Sequence, residues 1–441
     1  MTTQVTNQQR QIELFAKDQV EALYNVGYAC KYTNKKHDKF NEQDGSLGNS
    51  VLIRKPYRSV VSDGVAAVQQ GFSIRLQTLA VTQAKNTAHA WSPFDFQFYK
   101  DSFMDDLGLA DVASMGTAVE LDLMKSISGT MVGSSNYNTD LTGNNPFAGI
   151  TQFMSGPYRF SDFTQNGASY QSIAQAMQEL KTFGAVQATY DVLMHNMDVS
   201  PIIGTGQGQF LPQRNEENFN SWEIGSFNGM NFFQSNCIEP FYAGVAGAQG
   251  ITLTLVSASL TPVVGSPGDY TTTLVLSGAP SNTAQVVKVG DLMYFLDSAG
   301  LNLRQFTGYG LTPLKVQMRA LADADSDNSG NVTVLVTPGL DARKGPTQNL
   351  NKALQAGMQL KVVGDHRRGA IISRKYWYSA FPALPPRDPF VSGIQSDKDF
   401  GLSYAKYYGS ELLSGTTVMT DVVTYGSMML QEYHQALCFP L

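Results

Sequence analysis

The sequence predicts an α+β fold with a small β-barrel inserted in it, and three observations point there. From about Asp105 to Val132 the apolar residues Leu109, Val112, Met115, Val119, Leu123 and Ile127 fall three or four positions apart, which is the stripe of a long helix. From Gln249 to about Pro346 the composition shifts to Thr, Val, Leu and Gly in short runs: ITLTLVSASL, DYTTTLVLSG, VKVGDLMYFLD, LKVQMRALA and NVTVLVTPGL. Short strands at regular spacing, separated by turn residues, predict a small barrel or sandwich. Strand-rich sequence resumes after it, in LKVVGDHRRGAIISRKYWYSAFPAL, GLSYAKYYG and TTVMTDVVTYGSMML, so the β-unit is expected to interrupt a larger domain.

The other elements follow from the same periodicities. Between Gln8 and Ala29, Ile12, Phe15, Val20, Leu23 and Val26 recur at three to five residue steps, predicting an amphipathic N-terminal helix. Residues 31–50 are polar, and 31–58 holds seven Lys/Arg against three Asp/Glu, so a flexible or partner-dependent stretch is expected. The runs VLIRKPYRSVV and SIRLQTLAVTQAKNTAHAW are β-branched and partly alternating, and the segment joining them contains Asp63-Gly64 and Gly71. That is the pattern of a long hairpin, with Pro56 marking an exposed edge. The Gly/Asn/Ser-rich stretch 133–149 reads as a loop, and Ser169–Met197 as two helices broken near Gly184.

At 441 residues the chain exceeds the size at which a single core usually stops growing, about 250 to 300 residues. Charged residues make up 15% of it, against about 25% in an ordinary soluble domain. That depletion suits a surface used in contacts with neighbours. Net charge is -6 and the pI near 5.4, which excludes a chain-wide nucleic-acid footprint and leaves only local contacts. Cys30, Cys237 and Cys438 lie far apart with no CxxC pair, so buried thiols in a reducing compartment are expected. The first residues hold no apolar signal core and no run of about 18 apolar residues occurs, so neither export nor membrane spanning is expected.

Chemical motifs fail one by one. Asp323, Asp325 and Asp327 have calcium-loop spacing, but Asn328 stands where the loop needs Gly and Val334 where it needs a bidentate Glu, leaving a solvated turn. GTGQGQ at 204–209 lacks the third glycine of a dinucleotide loop. His37, His89, His195, His366 and His434 form no metal-ligand pattern, and Glu120 and Asp122 read as the solvated or interface face of the long helix. No catalytic residue, cofactor or metal is expected. Lys361, Arg367, Arg368, Arg374, Lys375 and Arg387 against Asp365 give net +5 over 361–387. These residues read either as a solvated basic face or as contacts to nucleic-acid phosphates, which need no sequence readout.

The order IRKPYR, a Gly-containing connection, IRLQTLAVTQAKNTAHAW and then AVELDLM on the long helix resembles the coat proteins of short-tailed bacteriophages. VKVGDLMYF, LRQF and NVTVLVTPGL resemble that family's inserted β-domain, and RRGAIISRKYWYSAFPAL its C-terminal return. The resemblance spans nearly the whole chain; it is loosest over GLTPLKVQMRALADADSDNSG. It implies the Hong Kong 97-type capsid fold: an N-terminal arm at 1–50, an extended loop at 51–104, and a peripheral domain with the spine helix at 105–164. Axial and peripheral parts would take 165–247 and 347–441, with the inserted β-barrel at 248–346. It also implies the partners of a non-enzymatic major capsid protein. These are many copies of itself in hexamers and pentamers, a scaffolding protein, a portal, packaged double-stranded DNA and a decoration protein, with assembly in the host bacterial cytoplasm. Arg54, Lys55, Arg58 and Asp63 would then meet neighbouring subunits, and Lys361, Arg367, Arg368, Arg374 and Lys375 would face DNA. Rival readings are an encapsulin-like compartment around protein cargo and a phage tail or tube protein. A long edge hairpin and an amphipathic arm need neighbours in any of these, because neither buries its apolar face alone.

Overall fold

The computed structural model describes residues 23, 27–35, 50–56, 76–81, 83–91, 103–128, 156–183, 190–199, 202, 223–227, 229–263, 269–296, 303–307, 310–343, 345, 347–382, 384, 391–397, 402–410 and 417–441. Most of the expected N-terminal helix, the 133–149 loop and GTGQGQ lie outside them.

A short helix α1 (Tyr28–Tyr32) opens the described chain. Gly27 before it is fully extended, so helix does not run continuously from Leu23 to Ala29. Residues 31–35 are also not loose: the Asn34 amide donates to the Trp377 carbonyl at 2.7 Å. Strands β1 (Ser50–Arg54) and β2 (Leu76–Ala80) pair antiparallel as a two-stranded ribbon, and β3 (Gln83–Trp91) leaves it for another sheet. Helix α2 (Phe103–Ser128) follows. Val112, Met115, Val119, Leu123 and Ile127 on its stripe are all buried, at about 1.5 to 3 kcal/mol for each large side chain.

Helix α3 (Tyr170–Thr182) starts at Ser169, whose hydroxyl accepts from the Ser172 amide while Ser172 returns the bond in a capping box. The second helix expected here is a strand instead, β4 (Tyr190–Met194). All five of its residues are buried because it runs parallel to 230–234 inside a sheet covered on both faces. A strand buried on both faces shows no alternation, so periodicity does not tell it from buried helix. Strands β5 (Glu223–Phe227), β6 (Met230–Gln234) and β7 (Pro240–Phe241) complete this stretch, and a single turn, α4 (Val245–Ala248), leads into the insertion.

The insertion is a closed barrel. Its strands are β8 (Thr252–Pro262), β9 (Tyr270–Ser277), β10 (Leu292–Phe295), β13 (Gln317–Ala320), β14 (Val332–Thr337) and β15 (Gln359–Val362), in the order β10-β13-β14-β9-β8-β15. A small ribbon of β11 (Phe306–Thr307) and β12 (Gly310–Leu311) lies within it. Leu253, Leu274, Leu276, Met293, Met318, Val334 and Leu360 fill the interior. Because β15 closes the ring, the unit runs on past residue 346. The sequence hides this because 338–358, which joins β14 to β15, has no strand pattern to show that the barrel is incomplete at 346.

After the barrel come β16 (His366–Ile372), β17 (Trp377–Ala380), β18 (Val391–Asp397), β19 (Leu402–Ser410), β20 (Thr417–Met429) and β21 (Gln435–Pro440). One sheet has the order β21-β16-β4-β6-β5, with β7 also on β16; the other is β17-β20-β19-β18, with β3 on β20. Apolar residues of α2 share a core with Leu193, Phe233 and Ile372 of the first sheet and with Trp377, Val423 and Tyr425 of the second. Ile173, Ala176, Met177 and Leu180 of α3 cover the first sheet's other face through Val192, Phe232 and Leu437. The fold is thus α+β with a barrel inserted between β7 and β16.

Candidate functional site

Of the residues expected at subunit contacts, Arg54 is exposed at the end of β1. Lys55 is not: its Nζ sits 2.6 Å from Asp269 Oδ2, and the two side chains are 9% and 8% exposed. Asp269 stands just before β9, so Lys55 fastens the β1–β2 ribbon to the inserted barrel of its own chain. Arg58 and Asp63 lie outside the described residues.

The basic run 361–387 is dispersed by the fold. Strand alternation sends neighbours on β16 to opposite faces. Arg367 pairs with Asp198 at 2.8 Å, whereas Arg368 is enclosed, donating twice to the Gly290 carbonyl at 3.2 Å and lying 4.0 Å over the Phe241 ring. Burial lowers the Arg368 guanidinium to about 10, lowers His366 beside it to about 3, and raises the nearby Asp291 carboxyl to about 7. Arg374 pairs with Asp191, which also accepts from the Tyr28 hydroxyl, and stacks 3.9 Å from the Tyr32 ring. Lys361 on β15 is half-buried and Lys375 exposed. These five residues therefore do not make one cationic surface: Arg367, Arg368 and Arg374 tie β16 and its continuation to β4, to α1 and to the barrel entrance.

The acids of α2 also depart from expectation. Glu120 and Asp122 are 2% and 5% exposed, on neither a solvated nor an open face. Glu120 accepts from the amides of Ala29 and Cys30, and a Cβ on Gly27 would overlap its carboxyl group. Burial raises Glu120 despite those bonds. Asp122 accepts from Tyr425 Oη at 2.6 Å and Lys85 Nζ at 2.8 Å; burial pushes it up, but Lys85, Tyr425 and Lys125 outweigh that and leave it below the usual carboxylate range. Three turns earlier on the same helix, Asp111 lies 2.7 Å from His89 Nε2. Beneath the helix, Lys406 and Asp421 face each other from β19 and β20, each 1% exposed. A polar seam thus runs between α2 and the β3–β20–β19 face. Its trace in sequence is the eleven-residue spacing of Asp111 and Asp122, which places both acids on one helix face.

Asp327 is a turn acceptor, whereas Asp323 and Asp325 reach across to the 285–289 segment. Asp323 and Asp325 take the amides of Val289 and Gln285 at 2.7 Å, and Asp327 takes those of Ser329 and Asn331. Among the described residues no group of three or more His, Cys, Asp or Glu is placed to hold a metal ion, and no helix is long and apolar enough to cross a membrane.

No family model and no curated protein matches the chain. Solved structures do. The capsid of Ralstonia phage GP4 aligns with TM-score 0.44 at 7% identity, over 95% of this chain and 92% of that one. A structure from Mycobacterium phage Che8 aligns at 0.40 and 10% over 93% and 90%, and the capsid of cyanophage Pam1 at 0.39 and 7% over 93% and 91%.

Proposed function

We propose that this chain is the major coat protein of a tailed bacteriophage, many copies of which close into an icosahedral head around double-stranded DNA. The observation that carries the reading is the β1–β2 ribbon. Lys55–Asp269 fastens it at the end where β1 runs on toward β2, yet among the described residues β1 pairs with β2 alone and ends in the exposed Arg54. Leu79 of β2 and Ile53 of β1 pack on Ala380, Met428 and Leu430 of the same chain, so what the ribbon leaves open is the outer edge of β1, and an open strand edge is a ready-made pairing surface. Neighbouring subunits supply what the ribbon lacks. The resemblance in residue order supports the same conclusion: arm, extended loop, spine helix α2, inserted barrel and C-terminal return follow one another as in the Hong Kong 97-type fold.

In this reading the mechanism is geometric. Many modest contacts repeated across hexamers and pentamers give avidity, and a scaffolding protein and a portal guide closure in the host cytoplasm. DNA phosphates meet exposed Lys375 and half-buried Lys361, while Arg367, Arg368 and Arg374 serve the subunit's own fold. Sedimentation of the full chain expressed with its scaffolding protein tests the proposal. Particles of hundreds of copies are expected, and monomers or small closed oligomers under all assembly conditions would contradict it.

A further inference from the structure

We propose that Lys406 and Asp421 become joined by an isopeptide bond within one folded subunit. The two residues are direct cross-strand partners on β19 and β20. Lys406 Nζ lies 3.3 Å from Asp421 Oδ1, and both side chains are 1% exposed. The surroundings are dry: Nζ also contacts Met419 Sδ at 3.3 Å, and Tyr404 beside the pair is 1% exposed. A second acid lies close by. Asp111 of α2 is held through Oδ1 by His89, and its buried Oδ2 has no hydrogen-bond partner. His89 is itself opposite Met419 in the β3–β20 register, which brings the Asp111 side of the helix over the pair.

This is the equipment that condensation of an amine with a carboxyl group needs. Burial raises the Asp421 carboxyl against the pull of Lys406, and the Asp111 charge adds to the rise, so the protonated and more electrophilic form is easier to reach than in a free carboxyl group. Asp111 as a carboxylate takes one proton from the Lys406 ammonium. The freed amine lone pair attacks Cγ of the protonated Asp421 carboxyl, forming the Nζ–Cγ bond. A second nitrogen proton passes to the Asp421 hydroxyl, the Cγ–Oδ bond breaks, and one water leaves. The product is a neutral secondary amide with Asp111 left protonated, and no oxidant or co-reactant is consumed. Two effects favour the amide: held neighbours react at very high effective concentration, and a buried ion pair carries a desolvation cost that the amide does not.

The wild-type protein provides the test. After Lys398 the sequence contains one further Lys or Arg, Lys406. Trypsin acting on an unjoined chain releases 399–406 and 407–441. The joined chain resists cleavage at Lys406 and yields the single peptide 399–441, one water lighter than its sequence mass, with fragmentation closing a loop between Lys406 and Asp421. A cyclic imide at Asp421 also loses a water but leaves Lys406 cleavable, so it counts against the proposal. Recovery of 407–441 at full mass as the main product from folded protein overturns it. Lys406→Arg is expected to restore full mass, and Asp111→Asn to leave Lys406 cleavable while circular dichroism stays that of the wild type. A folded Asp111→Asn protein that still carries the bond would overturn the role given to Asp111.

Discussion

The carboxylate of Glu120 accepts a hydrogen bond from the backbone amide of Ala29 at 2.8 Å, from 91 positions further along the chain, and its other oxygen takes the Cys30 amide at 3.1 Å. The first turn of α1 is therefore capped by a side chain of α2, and Gly27 leaves the space through which that side chain reaches.

Glu120→Ala removes the acceptor from two buried amides, each worth about 1 to 3 kcal/mol when left unsatisfied. Hydrogen exchange at 28–33 is expected to accelerate by one to several orders of magnitude while barrel amides stay protected. Equal loss of protection throughout the chain would show that the contact does not hold α1 locally.

Arg54 and Lys55 are adjacent and should behave oppositely. Lys55→Ala strands Asp269 in a buried position, and breaking such a pair costs about 3 to 5 kcal/mol, so a clear fall in the urea midpoint is expected. Arg54→Glu alters an exposed edge charge and is expected to leave the midpoint unchanged while reducing particle yield, because edge charges steer partner strands. A stable Lys55→Ala together with an unstable Arg54→Glu would reverse the assignment.

Asp291 gives the fold a pH dependence. Burial raises its carboxyl from 3.8 to about 7, against the amides of Lys288 and Gly244 that favour the charge. A raised carboxyl contributes stability that is fully present below about pH 4 and is lost as pH climbs toward 7. Asp291→Asn is neutral throughout. Wild-type stability relative to this variant is therefore expected to fall by on the order of 3 kcal/mol between pH 4 and pH 8, read from paired urea titrations. Parallel curves would show that Asp291 does not titrate in this range.

What was legible in sequence follows from how local each signal is. The stripe from Val112 to Ile127 and the alternation of NVTVLVTPGL are set by periods of 3.6 and 2, and those elements formed as read. Tyr190–Met194 reads as helix because α2 covers Leu193 on one face and α3 covers Tyr190, Val192 and Met194 on the other, which erases the alternation. Glu120 and Asp122 were misread for the same reason: an acid looks solvated until the chain brings Ala29, Lys85 and Tyr425 to it. The basic run 361–387 looked like a surface because charge counting ignores the pleat, which turns Arg368 inward beside Arg367.

Electron microscopy of purified particles tests most directly whether the β1–β2 ribbon and α2 belong to a shell-forming subunit, as proposed. Full-length chain expressed with its scaffolding protein should yield closed, hollow shells of uniform diameter. Images showing stacked tubes, or only dispersed subunits across all assembly conditions, would contradict it.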